Sequence, residues 1–65
     1  MTLDGIRFAI QARLFAITRG LHQVVVSHNP PGNVKIEVSA ELVRHVDDIA
    51  QRLLPVGTGV EVSAI

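Results

Sequence analysis

The sequence contains no cysteine, so no disulfide braces it and no thiolate can hold a zinc ion. That absence matters because 65 residues make one small module, 1–65. A domain of that size buries only ~60% of the surface its unfolded chain exposes. Such scaffolds usually rely on a disulfide, a metal or a partner. A well-packed core and a partner chain are what remain here. The missing thiols say nothing of redox compartment, since a thiol-free chain suits either.

Tryptophan and tyrosine are also absent, and Phe8 and Phe15 are the only aromatic side chains. Charge is scarce: 18% of residues, against about 25% in ordinary soluble domains. Six basic residues balance six acidic ones, and 48% of the chain is hydrophobic. A monomer so weakly charged has little electrostatic protection against association. Neutrality also argues against nucleic acid as the main ligand, which clustered Lys and Arg would have to bind.

There is no long hydrophobic run. The longest apolar pattern, Leu3 to Leu21, is interrupted by Asp4, Arg7, Arg13 and Arg19, whereas a membrane span needs about 20 mainly apolar residues. Asp4 near the start, with no basic segment before it, weighs against a signal peptide. The expectation is a cytoplasmic protein, or one assembled there.

What is present is periodicity. Leu3, Ile6, Ile10, Leu14, Ile17 and Leu21 recur at spacings of three and four, which predicts a helix with one apolar stripe. Thr2 suits its N-cap, Asp4 its first turn and Gly20 its C′ position. Phe8 and Phe15, seven apart, share a second face well away from the stripe. Asp4, Arg7, Gln11 and Thr18 form a narrow polar ribbon between the two. A helix with two apolar faces needs cover on both, and one small sheet covers only one.

Gln23–Ser27 is short and β-branched, as a strand should be. Asn29-Pro30-Pro31-Gly32-Asn33 reads as a loop. Val34, Ile36 and Val38 then alternate with Lys35, Glu37 and Ser39, the pattern of a half-buried strand. Ser39 is a candidate N-cap for a second helix, Ala40–Leu54, buried along Leu42, Val46, Ile49 and Leu53. Its outer face carries Arg44–Asp48 and Asp48–Arg52 pairs at i,i+4. Pro55 ends that helix, Gly57-Thr58-Gly59 turns, and Val60–Ser63 is a last strand.

The expected fold is therefore α+β, in the order α-β-β-α-β, with a three-stranded sheet and both helices on one face. A crossover places the last strand parallel to the second, and the preferred order puts the first strand in the middle. The open face should then carry Gln23, Val25, Ser27, Lys35, Glu37, Glu61 and Ser63.

Signals for chemistry are thin. Glu41 and His45 stand at a spacing that can hold a metal, but two ligands do not make a site. Ser27 and His28 are neighbours on a strand and point to opposite faces, which suits no proton relay. His22 follows the first helix and is placed to cap its carbonyls. Gly57-Thr58-Gly59 follows a helix, whereas a phosphate cradle leads into one. No catalytic, cofactor-binding or metal-binding residue is assigned, and no enzyme activity is expected. The candidate protein interface comprises Phe8, Ala12, Phe15 and Arg19 of the first helix, Pro30 and Pro31 of the loop, and Val25.

Parts of the chain resemble the tail protein X family of contractile-tailed phages, a LysM-like family of the tail and baseplate. The matching stretches are Thr2-Leu3-Asp4, Thr18-Arg19-Gly20-Leu21 leading to Asn29-Pro30, and Leu54-Pro55-Val56-Gly57-Thr58-Gly59-Val60-Glu61-Val62. Together they cover less than half the chain, and Val34–Leu53 has no counterpart. The resemblance implies virion assembly as the setting, and it implies a helix over residues 21–28 where Val24-Val25-Val26 favours a strand. The expected function is a non-enzymatic structural subunit, in a homo- or hetero-oligomer with other protein chains. The alternatives are a small KH-like nucleic-acid-binding module, which would need a Gly-x-x-Gly loop the sequence lacks, and an oligomeric enzyme with its site between subunits.

Overall fold

A computed structural model describes residues 2–29 and 33–65. The element order is α1 (Leu3–Thr18), β1 (Val25–Asn29), β2 (Asn33–Val38), a 3₁₀ turn (Ala40–Leu42), α2 (Val43–Leu53) and β3 (Val60–Ala64). This is the expected α-β-β-α-β order. The connection at residues 30–32, with Pro30 and Pro31, lies outside the described residues.

Thr2 caps α1 as its hydroxyl predicts, accepting from the Gly5 N–H at 3.0 Å. The C-terminus differs from expectation by one residue. Arg19, not Gly20, takes the left-handed conformation at φ 61°, and its N–H donates to the Phe15 carbonyl at 2.7 Å. The buried stripe is correspondingly shorter. Ile6, Ile10 and Leu14 reach the core, while Leu3, Ile17 and Leu21 stay exposed. Leu21 lies beyond the cap, where helical spacing no longer governs its direction.

Behind the cap, the polar ribbon anchors the chain's return. The Thr18 hydroxyl contacts the Leu14 carbonyl at 2.9 Å and His22 Nε2 at 2.6 Å. Thus His22 supports the helix end through Thr18 rather than by capping carbonyls itself. Gln11 Nε2 donates to the His22 carbonyl at 3.4 Å. Residues 21–24 belong to no helix, and the strand begins at Val25.

The sheet order is β1-β2-β3, which corrects the expectation that the first strand is central. β1 pairs antiparallel with β2, from Val25↔Glu37 to Asn29↔Asn33, so both asparagines belong to strands rather than to the loop. β3 runs parallel to β2, as expected, from Val34↔Val60 to Val38↔Ala64. The central place falls to the strand whose three inward residues are all β-branched and apolar. Val34, Ile36 and Val38 are all buried, whereas β1 offers only Val26, with exposed His28 beyond it.

α2 starts without a side-chain cap. Ser39 makes no capping bond through its hydroxyl; instead its carbonyl accepts from Leu42 N–H at 2.9 Å and starts the 3₁₀ turn. Pro55 follows the last helical hydrogen bond, Leu54 N–H to the Ala50 carbonyl. Thr58 N–H then closes a turn onto the Pro55 carbonyl at 3.1 Å, with Gly57 at φ 93°. That φ is the third-position geometry of a type II turn. Val46, Ile49 and Ala50 pack from α2 against Ile6, Ile10 and Leu14 of α1 and the inward residues of β2. Buried Leu42 and Val24 close this core at its margins.

Three stability outcomes are expected, each measured by chemical denaturation. Ile36→Ala, at a fully buried site on the central strand, should lose about 3 kcal/mol. Gly57→Ala should lose about 1 kcal/mol because the left-handed φ is retained at a steric cost. Arg19→Gly should gain about 0.5–1 kcal/mol by relieving that same cost at the α1 cap.

Candidate functional site

α1 has two apolar faces, and among the described residues only one of them is covered. Ile6, Ile10 and Leu14 point down into the core, while Phe8 is 61% exposed and Phe15 45% exposed on the opposite side. Exposed Ala12 lies between them. The Arg7 guanidinium sits 4.8 Å from the centre of the Phe8 ring and 3.6 Å from the Asp4 carboxylate. The guanidinium thus lies over the Phe8 ring, while both phenylalanines remain exposed. Arg19 is exposed at the C-terminal end of the same helix.

Val25 belongs to a different surface. It pairs with Glu37 on the sheet face away from the helices, where Ser27 faces Lys35, and Lys35 and Glu37 face Glu61 and Ser63. This is the open face expected from the alternation. The structure therefore brings Phe8, Ala12 and Phe15 together and sets Val25 apart from them. Pro30 and Pro31 lie outside the described residues.

One feature was not visible in the sequence: which backbone groups face an edge with no strand neighbour among the described residues. Val34 N–H donates to the Gly59 carbonyl and Ile65 N–H to the Val38 carbonyl, both at 2.8 Å. Val34, Ile36 and Val38 thus turn their backbone groups towards β3. Neighbouring residues of a strand point theirs the other way, so Lys35 and Glu37 bond to β1. Their partners Ser27 and Val25 are satisfied by β2. Val26 and His28 are left with N–H and C=O directed at the free edge. The signal that would have found them is strand order, which hydrophobic alternation does not encode.

The grooves offer little for chemistry. One, of about 330 Å³, lies where Asp47, Gln51 and Leu54 meet Thr58. Another, of about 310 Å³, lies between α1 and α2 and is lined by Arg13, Ala16, Ile17, Asp48, Ile49 and Arg52. Both sit at the lower end of the range for small-molecule sites, about 300–1,000 Å³. In the second, Arg52 is engaged by Asp48 at 3.4 Å and Arg13 by the Ala9 carbonyl at 3.4 Å. Asp48–Arg52 is one of the two expected pairs on α2. Among the described residues no three His, Cys, Asp or Glu side chains come together as a metal site. No polar or charged side chain is buried among them. No helix among them is long and apolar enough to cross a membrane. No protein-family model, curated protein or solved structure matches the chain.

Proposed function

We propose that this chain is a non-enzymatic assembly subunit that docks on protein partners through the outer face of α1. The observation that carries the proposal is the exposure of Phe8 and Phe15, the chain's only aromatic residues, on one side of one helix. Burying an aromatic side chain is among the largest single contributions to an interface. In a chain this short, two left in water are a substantial part of the apolar surface it could have buried. Zero net charge removes the general repulsion that would keep like copies apart. The tail-protein resemblance supplies a setting for such an assembly, a phage tail or baseplate, and the docking proposal does not depend on it.

The test replaces both rings with carboxylates. Phe8→Asp with Phe15→Asp should leave the far-ultraviolet circular dichroism close to that of the parent chain. The particle mass by light scattering should fall to that of a single chain. Loss of the folded spectrum would instead assign the two rings to the core and end the interface reading.

A further inference from the structure

We infer that the partner at this surface includes a second copy of the chain, joined edge to edge through antiparallel pairing of β1 with β1 into a continuous six-stranded sheet. The inference rests on the reading of the chain as an assembling subunit and names both its partner and its register.

Among the described residues, the free edge of β1 lacks the charges, prolines and bulges that commonly block edge pairing. Val25–Asn29 contains no lysine, no other charged residue and no proline, and its register with β2 runs without a bulge. The other outer strand, β3, carries Glu61. The helices reinforce the contrast. α1 packs over β1 and α2 over β3, and the exposed face of α2 holds Arg44, His45, Asp48 and Arg52. The side of α1 turned away from α2 is the side above the free β1 edge. Arg13, Ala16 and Ile17 face α2, so at 3.6 residues per turn the polar ribbon of Asp4, Gln11 and Thr18 faces the free-edge side, with Phe15 and Phe8 next to it on the upper surface. An unprotected edge and an uncovered aromatic face thus lie towards one margin of the molecule.

The strand is also self-complementary. Pairing all five residues of β1 with a two-fold copy sets Val25 opposite Asn29, Val26 opposite His28, and Ser27 opposite itself on the axis. Val26 and His28 are the residues whose backbone groups point outward, so they form the hydrogen-bonded pairs across the axis, and Ser27 forms the closer non-hydrogen-bonded pair. No like charges meet. A two-fold axis normal to the sheet keeps all four helices on one side, with the two α1 helices flanking the axis. Strand pairing alone would fall short of the ~600–1,000 Å² per partner of a stable specific interface. Two phenylalanines, each adding on the order of 100 Å², bring it nearer.

The register permits a direct test, because the natural chain has no cysteine. Ser27→Cys places two thiols on the axis with Cα atoms about 4.5 Å apart, within disulfide range. Under mild oxidation at micromolar concentration this variant should become a covalent dimer nearly completely. Glu61→Cys, on the same sheet face and more open to solvent than Ser27, serves as the collisional control and should still cross-link at least ten-fold more slowly. His28→Pro removes an outward N–H without touching the ladder to β2, and should convert the dimer to a folded monomer by light scattering and circular dichroism. An associated parent chain whose Ser27→Cys variant cross-links no faster than Glu61→Cys would overturn the strand pairing and leave assembly through α1 intact. A parent chain monomeric throughout a dilution series to 100-fold above that concentration would overturn self-association altogether.

Discussion

Both flanks of β2 are occupied, and the rest of the molecule follows from that constraint. Val34, Ile36 and Val38 direct their side chains at the helices and their backbone groups at β3, while Lys35 and Glu37 direct theirs at β1. One six-residue strand therefore fixes the antiparallel neighbour, the parallel neighbour and the floor on which both helices rest. α1 and α2 meet over it through Ile10, Leu14 and Val46, all fully buried. Among the described residues nothing covers the far side of α1, where Phe8 and Phe15 stay exposed.

Much of this was legible from residue pattern alone. The strict alternation from Val34 to Val38 gave the inward residues correctly, and the same logic assigned Val25, Ser27, Lys35, Glu37, Glu61 and Ser63 to the open face. Phe8 and Phe15 could be read as off the buried stripe because seven residues return a helix to nearly the same angle. Strand order could not be read this way. Alternation reports which face a side chain takes, not which strand lies alongside, and so the free-edge groups of Val26 and His28 were invisible too.

The remaining differences are local. Gly20 is the residue that steric preference selects for a left-handed cap, yet Arg19 adopts that conformation. The bonds from Gln11 and Thr18 to His22 hold the return segment in a path set by the helix end, and the cap follows that path rather than the intrinsic preference. Ser39 illustrates the converse: a good capping side chain goes unused because a 3₁₀ turn satisfies the helix start through the backbone.

The parallel pairing of β3 with β2 also orders events in time. β1 and β2 are joined by a short connection and can meet early, at small entropic cost. β3 reaches β2 only after the chain has crossed through α2 and the Pro55–Thr58 turn, so its contacts span far more sequence and should form later. Until then the backbone groups of Val34, Ile36 and Val38 lie open beside an already formed hairpin. A nascent chain at that stage exposes the strand that ends up most deeply buried, and it is then that a wrong neighbour could take the place reserved for β3.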